Sequence, residues 1–420
     1  MQNTPAIEIY VQNAGRYISV PGGATLLEIY NKVKAHVPFT PVNARVNNKA
    51  EELNFRVYRP KTVEFMPVTS DSGYRTYIRS LCMMLYHAVH TLLPGCTLRI
   101  EHSLSRGYYC IIDGLPSRPD ARLAYTLTAH MRSLAERNLP FVRHELRTVD
   151  VIEIFRRQQL ADKVLLLETI HEPYTPIYCL DGLYDSYYGA LVPFTGILDV
   201  FSLIPYEEGL LLLGPDRDNP SLPATPIPQA KMYEAFTSYQ AFNSIVGVNT
   251  VGEMNTQVQA NRSPMLINVA EALHNNRIAS IADDIAARFR RGEARIVLVA
   301  GPSSSGKTTF TKRLAIQLMT RLIKPEMISL DDYFIDRHLT PATPRASMTM
   351  SRSTLSTSPS STHTSTPCSA ATRCNSPTTT SRQAHASIAA TPYACAPTRY
   401  CSSRAYTAST PSSPPPWPPK

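Results

Sequence analysis

The sequence lacks the features that mark a membrane protein or a disulfide-stabilised one. None of its apolar runs approaches the roughly 20 residues that a membrane-spanning helix needs. Its first residues carry no basic patch followed by an apolar core, as a secretory signal would. The 8 cysteines form no CxxC pair, so neither a zinc site nor a disulfide framework is indicated. We therefore expect a cytoplasmic protein.

Residues 342–420 lack several residue types altogether. They contain no Asp, Glu, Gly or Val, whereas Ser, Thr, Pro and Ala dominate. A segment of this composition cannot bury enough apolar surface to offset the entropy of ordering its chain. We predict that this tail is disordered.

The net charge of +9 comes mostly from the same tail. It holds seven of the 42 basic residues and none of the 33 acidic ones, which leaves residues 1–341 with 35 basic and 33 acidic residues, a net charge of +2. Nucleic-acid-binding domains usually carry a marked basic excess. The low charge therefore argues against DNA and against RNA as partners, and no membrane partner is indicated.

A strand, a glycine-rich loop and a helix are predicted over residues 296–309. Residues 296–300 (IVLVA) form an apolar run that is typical of a parallel strand buried on both faces. The loop that follows is a complete G-x4-GK-[ST] motif. Its candidate nucleotide-binding residues are Gly301, Ser303, Ser304, Ser305, Gly306, Lys307, Thr308 and Thr309.

Each position of this motif has a physical task in binding a nucleotide. Gly301 and Gly306 let successive backbone N–H groups point at phosphate oxygens, and the following helix adds the positive end of its dipole. Lys307 supplies a positive charge for the β- and γ-phosphates, and the Thr308 hydroxyl is placed to ligate Mg²⁺. We therefore predict ATP and Mg²⁺ as cofactors.

Helices are predicted on both sides of the loop. Ser263 as N-cap and Pro264 as first helical residue open a helix that continues over residues 265–276. A second helix is predicted over residues 277–289 from its apolar spacing. The helix after the loop places one apolar stripe toward the sheet, made of Phe310, Leu314 and Leu318.

The strand predicted after this helix covers residues 327–330 and is followed directly by Asp331. An aspartate beyond the carboxyl end of a parallel strand can accept the proton of an attacking hydroxyl. GPSSSGKTTF followed by SLDDYF resembles the uridine kinase and phosphoribulokinase family. That resemblance implies phosphoryl transfer from ATP to a nucleoside 5′-hydroxyl, with Asp331 and Lys307 as catalytic residues and Asp331, Tyr333 and Phe334 contacting the substrate. The alternative is that Asp331 only caps a turn.

The first 70 residues predict a small α+β domain. Residues 7–11 and 16–20 alternate as a hairpin, and Thr25 with Glu28 has capping-box spacing for a helix through Val33. Further short strands are predicted at residues 42–46, 55–58 and 62–68. This order resembles the TGS-type β-grasp module of threonyl-tRNA synthetases and some GTPases, although any small α+β domain remains an alternative.

Residues 71–260 resemble the second N-terminal domain of threonyl-tRNA synthetases, which edits mischarged tRNA. The segments YIRSLCMMLYHAVHTLLPG and YDSYYGALVPFTGIL carry the resemblance. That domain presents a His-x3-His pair and a Cys-x3-His pair, whereas this chain has His87 and His90 at a shorter spacing and has Tyr187 and Leu191 in the second pair. Two ligands do not make a metal site. We expect the fold without the editing chemistry and no bound metal except Mg²⁺.

Together these features predict a multidomain chain of α+β and α/β architecture. Its segments are a TGS-like β-grasp domain (1–70), a synthetase-like domain (71–260), a truncated P-loop domain (261–341) and a disordered tail (342–420). The function implied by the resemblance is an ATP-dependent nucleoside kinase, with a nucleoside as small-molecule partner. Two alternatives are a regulatory or tRNA- or ribosome-associated nucleotide-binding protein, and a P-loop ATPase without a small-molecule acceptor.

The tail has the character of an out-of-frame translation. The kinase family continues with a strand that carries an acidic residue, and Ser402–Pro411 can be encoded by codons whose shifted frame gives IEGIHGLNP. The same shift over residues 351–364 permits SLYALDIPLFNT. We therefore predict a frameshift just after Pro341 and an impaired kinase domain. A genuine Ser/Thr/Pro-rich tail is the alternative.

Overall fold

The computed structural model of the chain describes residues 5–329 and, in addition, the backbone of short strands at residues 373–375, 378–379, 386–387, 392–394 and 399–406. The chain divides into two compact units, unit 1 (residues 1–262) and unit 2 (residues 263–420). Their boundary lies close to the predicted domain boundary at residue 260. The architecture is mixed α+β with several separate sheets.

The first part of unit 1 is a mixed sheet with one helix. Its elements are β1 (Ala6–Val11), β2 (Arg16–Pro21), β3 (Ala24–Thr25), α1 (Leu26–Val33), β4 (Asn43–Val46), β5 (Lys49–Glu51), β6 (Arg56–Val57) and β7 (Lys61–Met66). Five strands join in the order β2-β1-β7-β4-β5, with β1 and β7 parallel and the other neighbours antiparallel. The predicted hairpin β1–β2 is present.

Helix α1 begins with the predicted capping box. The Thr25 hydroxyl accepts a hydrogen bond from the Glu28 N–H at 3.1 Å, and the Glu28 carboxylate accepts one from the Thr25 N–H at 2.8 Å. These bonds satisfy two backbone donors that a helix start otherwise leaves without partners. The helix then buries Leu26, Ile29 and Val33 completely against the sheet.

The second part of unit 1 packs helices against two antiparallel sheets. Its helices are α2 (Asp71–Leu92), α3 (Ala121–Arg137), α4 (Thr148–Arg157), α5 (Ala161–Thr169), α6 (Ala230–Val246) and α7 (Val251–Gln259). Its strands are β8 (Thr97–Leu104), β9 (Gly107–Asp113), β10 (Val142–Arg147), β11 (Tyr174–Leu180), β12 (Leu183–Asp185), β13 (Ser202–Tyr206) and β14 (Gly209–Leu213). The sheet orders are β13-β14-β9-β8 and β10-β11-β12.

Helix α2 is the central element of this part. Its residues 80–89 are all buried, and they belong mainly to a core cluster that also contains residues of α3, β9 and β14. Among the described residues, no helix is both long enough and apolar enough to cross a membrane.

The described residues of unit 2 form two helices and a three-stranded parallel sheet, together with short strand pairs. Its elements are α8 (Ser263–Arg290), β15 (Ile296–Gly301), α9 (Lys307–Met319), β16 (Lys324–Ser329), β17 (Arg373–Asn375), β18 (Thr378–Thr379), β19 (Ala386–Ser387), β20 (Pro392–Ala394) and β21 (Arg399–Tyr406). The parallel sheet has the order β15-β21-β16. The predicted stripe on α9 is confirmed, because Leu314 and Leu318 are buried and Phe310 packs beside them.

Two predictions for unit 2 are wrong. The two helices predicted before the loop form one continuous helix, α8. Residues 265–289 contain no Gly or Pro that would interrupt it. Strand β15 is not buried on both faces: its burial alternates, and Leu298 is 66% exposed. An apolar run alone does not show whether a second layer covers the strand.

The predicted disordered tail overlaps strands β17 to β21. The remaining residues of 342–420 lie outside the part of the chain that the structure describes. The disorder of this tail and the proposed change of reading frame both stay predictions.

Candidate functional site

The candidate nucleotide site of unit 2 is the connection between β15 and α9. The strand ends at Gly301, the helix begins at Lys307, and five residues join them. Within this turn Ser304 and Gly306 adopt left-handed backbone conformations, with φ of 59° and 82°. A Cβ on Gly301 would lie 2.9 Å from the Ser305 hydroxyl. Glycine at 301 and at 306 therefore allows a tight turn that a larger residue would strain.

The side chain of Lys307 is folded into the loop. It is 5% exposed, and its ammonium group donates hydrogen bonds to the carbonyls of Gly301 at 2.8 Å and Pro302 at 2.7 Å. The loop therefore encloses a positive charge. This is the charge that a phosphate-binding loop needs near the β- and γ-phosphates.

The N-terminus of α9 carries no side-chain cap. Gly306 occupies the N-cap position and has no side chain that could cap the helix. Its carbonyl accepts a hydrogen bond from the Phe310 N–H at 2.9 Å. The N–H groups of the first turn have no acceptor inside the helix, and the helix dipole makes this end positive. Exposed hydroxyls lie around it, on Ser303, Ser304, Ser305, Thr308 and Thr309. The arrangement is suited to binding an anion such as a phosphate.

All eight candidate loop residues thus lie in one turn and the first turn of the helix that follows. Asp331, Tyr333 and Phe334, the other candidate site residues, lie outside the described residues. Their predicted roles rest on the sequence alone.

In unit 1, His87 and His90 do not form a shared site. His87 is buried, and its Nδ1 lies 3.1 Å from Nε2 of His130 on α3, with the two rings stacked. Its Nε2 lies 3.9 Å from the carboxylate of Asp181. His90 is exposed, one turn further along α2. Within residues 5–329 no group of three His, Cys, Asp or Glu side chains could hold a metal ion.

Burial changes the protonation of this histidine pair. It lowers the pKa of His87, and the neighbouring His130 lowers it further. Burial also lowers the pKa of His130. Both imidazoles are therefore neutral at pH 7.

Of the two residues in the second ligand pair, Leu191 belongs to the core and Tyr187 packs against it. Leu191 is 1% exposed, and burial raises the pKa of the Tyr187 phenol well above its ordinary value. The ammonium of Lys163 lies 5.7 Å from the centre of the Tyr187 ring and forms an ion pair with the buried Asp185. A lysine–aspartate pair and a phenol thus occupy this position, and they make no metal site.

Several polar residues of this region were not found from the sequence. Arg79 donates from Nε and Nη2 to the Ala190 carbonyl at 3.1 and 3.0 Å, and Lys163 meets Asp185 across 22 positions of the chain. Single arginines, lysines and aspartates in helices and loops have no local signature. Only the tertiary fold brings them together.

No protein-family model matches the chain. The chain is similar to several threonine–tRNA ligases. It is 25% identical to the ligase of Desulforamulus reducens over 183 residues, which are 43% of this chain and 29% of the relative. The ligase of Rubrobacter xylanophilus is 27% identical over 210 residues, which are 50% of this chain and 32% of that relative. The ligase of Symbiobacterium thermophilum is 24% identical over 194 residues, which are 45% of this chain and 30% of that relative. The chain spans about a third of the length of these curated relatives.

These relatives support the predicted resemblance to threonyl-tRNA synthetases and contradict three other predictions. They are ligases that act on tRNA, so the predicted nucleoside kinase is wrong as the main function, and so is a nucleoside as the partner. The argument against RNA is wrong for the same reason. The predicted cofactors, ATP and Mg²⁺, agree with relatives that are ligases, since a ligase couples bond formation to cleavage of a nucleoside triphosphate.

Proposed function

We propose that this chain is a tRNA-associated protein that binds ATP with Mg²⁺. The observation that carries the proposal is the similarity of up to half of the chain to threonine–tRNA ligases. The anion-binding geometry between β15 and α9 supports the nucleotide part. Because the chain spans only about a third of those ligases, the role that we propose is binding of tRNA.

A basic and aromatic strip on α3 supports contact with RNA. Arg122, Tyr125 and Arg132 follow each other at helical spacing on one exposed face, and Tyr125 is 76% exposed. Among the described residues, neither guanidinium group has an ion-pair or hydrogen-bond partner. Unpaired guanidinium groups can contact RNA phosphates, and an exposed phenol ring offers a surface on which a base can stack.

This strip explains how a nearly neutral chain can bind RNA. Most arginines of unit 1 are held by carboxylates or by backbone carbonyls, as Arg137 is by Asp181 at 2.8 Å. The net charge of the chain counts paired arginines equally with unpaired ones. The local charge on α3 is what a phosphate backbone would meet.

In unit 2 the loop would hold the triphosphate of ATP. The N–H groups at the start of α9 and the enclosed Lys307 fit phosphate oxygens, and the exposed Thr308 hydroxyl fits Mg²⁺. ATP supplies the phosphate group that ligase or hydrolase chemistry would use. This chain's residues bind and orient that group and neutralise its charge.

The tRNA part is tested by filter binding of a tRNA mixture across a salt series. The double variant Arg122→Ala with Arg132→Ala should weaken retention about tenfold and reduce the slope of log affinity against log salt by about 2, because two phosphate contacts are lost. The control is Lys34→Ala with Arg59→Ala, which removes the same charge from exposed positions elsewhere. Equal losses in both doubles, or no salt-sensitive retention by the unaltered chain, would refute the proposal.

The nucleotide part is tested separately with a fluorescent ATP analogue and Mg²⁺. Lys307→Ala should lower the affinity at least about tenfold, because a charge-assisted contact to the phosphates is lost. Lys312→Ala, an exposed lysine on the same helix, should leave the affinity unchanged. If both variants bind the analogue as the unaltered chain does, the loop is not a nucleotide site.

A further inference from the structure

Unit 1 contains a small cavity that neither the loop nor the α3 strip involves. It has a volume of about 240 Å³ and lies between the end of α2, the start of β8 and the connection from α4 to α5. Val89, Leu98 and Leu160 form its apolar walls. Its size suits a small metabolite, because most ligand pockets for larger molecules exceed about 300 Å³.

Hydrogen-bond donors face this cavity from two sides. Tyr86 is 8% exposed, and its hydroxyl oxygen accepts a hydrogen bond from Gln158 Nε2 at 2.7 Å, but its own proton meets no acceptor among the described residues. Arg157 also lines the cavity, and within residues 5–329 it has no ion-pair or hydrogen-bond partner. A buried donor such as the Tyr86 hydroxyl is costly without an acceptor, and the exposed Arg157 adds a positive charge at the cavity, so this side favours an anionic group.

Acceptors come from two helix ends. Helix α2 ends at Leu92 and helix α4 at Arg157, and both ends lie at the cavity. The carbonyl of His90 loses its usual helical donor because Pro94 has no N–H. No backbone N–H of the described residues donates to the carbonyl of Arg157. Helix C-termini carry partial negative charge and favour a cation.

A ligand that satisfies both sides carries one negative and one positive group close together. We propose that this cavity binds a free α-amino acid with a short aliphatic side chain. Its carboxylate would meet Arg157 and the Tyr86 hydroxyl, its ammonium group the carbonyls at the two helix ends, and its side chain the apolar walls. The proposal is independent of the tRNA and ATP functions.

The ligand class is tested by calorimetric titration of the full chain with L-valine. Two probes of similar shape each lack one charge: 3-methylbutanoate has no ammonium group and isobutylamine has no carboxylate. We expect valine to bind and each probe to bind at least about tenfold more weakly, because one charged hydrogen bond is lost. No heat with valine at millimolar concentration, or equal affinities for all three, would overturn the proposal.

The site is tested by variants of its donors. Arg157→Ala should weaken valine binding at least about tenfold, and Tyr86→Phe, which keeps the ring, should weaken it about fivefold. Arg157→Lys keeps the charge and should retain part of the affinity, while Arg59→Ala, far along the chain in an exposed position, should change nothing. Unchanged binding by Arg157→Ala would refute the site, whatever the result of the tRNA and ATP assays.

Discussion

His87 on α2 and His130 on α3 stack with ring nitrogens 3.1 Å apart, and one of the two rings is almost fully buried. The contact joins two helices that contribute to the same hydrophobic core cluster of unit 1. At this distance one ring nitrogen must donate and the other accept, so at least one imidazole must be neutral. Two imidazolium rings in the same positions would repel each other.

The first prediction concerns the pH dependence of this contact. The pKa values of both histidines are lowered below the ordinary 6.5, so below that pH the unfolded chain binds more protons than the folded one. The free energy of unfolding should therefore be highest above about pH 6.5 and should decrease as the pH drops toward 5. Thermal unfolding of the full chain across this range measures the effect.

A matched pair of variants identifies the source of that dependence. His130→Phe keeps an aromatic ring beside His87 and removes one titrating group, so the loss of stability on acidification should become smaller. His171→Asn alters an exposed histidine and should leave the profile as it is. An identical acid profile in the His130→Phe variant would contradict the assignment.

The second prediction concerns the ion pair of Lys163 and Asp185. Asp185 is 4% exposed, and its carboxylate also accepts the Ser186 N–H at 2.7 Å. Lys163→Met leaves a buried carboxylate without its counter-ion and should cost about 3 kcal/mol of unfolding free energy. Urea unfolding followed by circular dichroism measures this loss.

A double-mutant cycle separates the pair from its surroundings. Lys163→Met combined with Asp185→Leu removes both charges and should cost less than the sum of the two single variants, because no unpaired charge stays buried. Strictly additive losses would show that the two side chains do not interact energetically.

The third prediction concerns Gly73 in the first turn of α2. A Cβ at this position would lie 2.0 Å from the Pro67 carbonyl oxygen and 2.8 Å from Val42 Cγ2. Replacing Gly by Ala inside a helix normally stabilises it by about 1 kcal/mol. Here the backbone must move instead, so Gly73→Ala should destabilise unit 1 by about 2 kcal/mol or more.

Gly15→Ala serves as the comparison for that variant. Gly15 has a left-handed φ of 62° but no atom within 4 Å of an added Cβ. Only backbone strain of about 1 kcal/mol is expected there. A larger loss for Gly15→Ala than for Gly73→Ala in urea unfolding would contradict the steric argument.

The sequence predicted those parts of the fold that depend on near neighbours. The capping box of Thr25 and Glu28 lies within one turn, and the loop from Gly301 to Lys307 is a contiguous motif, so each could be found by spacing alone. The contacts of His87 with His130 and of Lys163 with Asp185 join different elements. No spacing in the sequence indicates them.

The turn between β8 and β9 shows another limit of local signals. Ser105 and Arg106 both adopt left-handed conformations, with φ of 54° and 63°, at positions where Asn and Gly are usual. The Ser105 hydroxyl donates to the Ile227 carbonyl and accepts the Ile227 N–H at 2.9 Å. A distant segment therefore holds a turn that its own residues do not favour.

The wrong expectation about RNA arose from averaging charge over the chain. Paired and unpaired arginines contribute equally to a net charge, although only the unpaired ones are available to a phosphate. The strip of Arg122, Tyr125 and Arg132 becomes visible only when the helix face and the ion pairs are known. For that physical reason the proposed contact with RNA could not be predicted from composition.

Strand β21 lies between β15 and β16, although residues 399–406 come long after both in the chain. During synthesis β15 and β16 are made before β21, so the order β15-β21-β16 can form only after the ribosome has added residues 399–406. Contacts that close such long loops form slowly. The loop from Gly301 to Lys307 is therefore anchored on a sheet whose described order is complete only once β21 has been added, and a nascent chain would leave the apolar strand β15 without this neighbour during that delay.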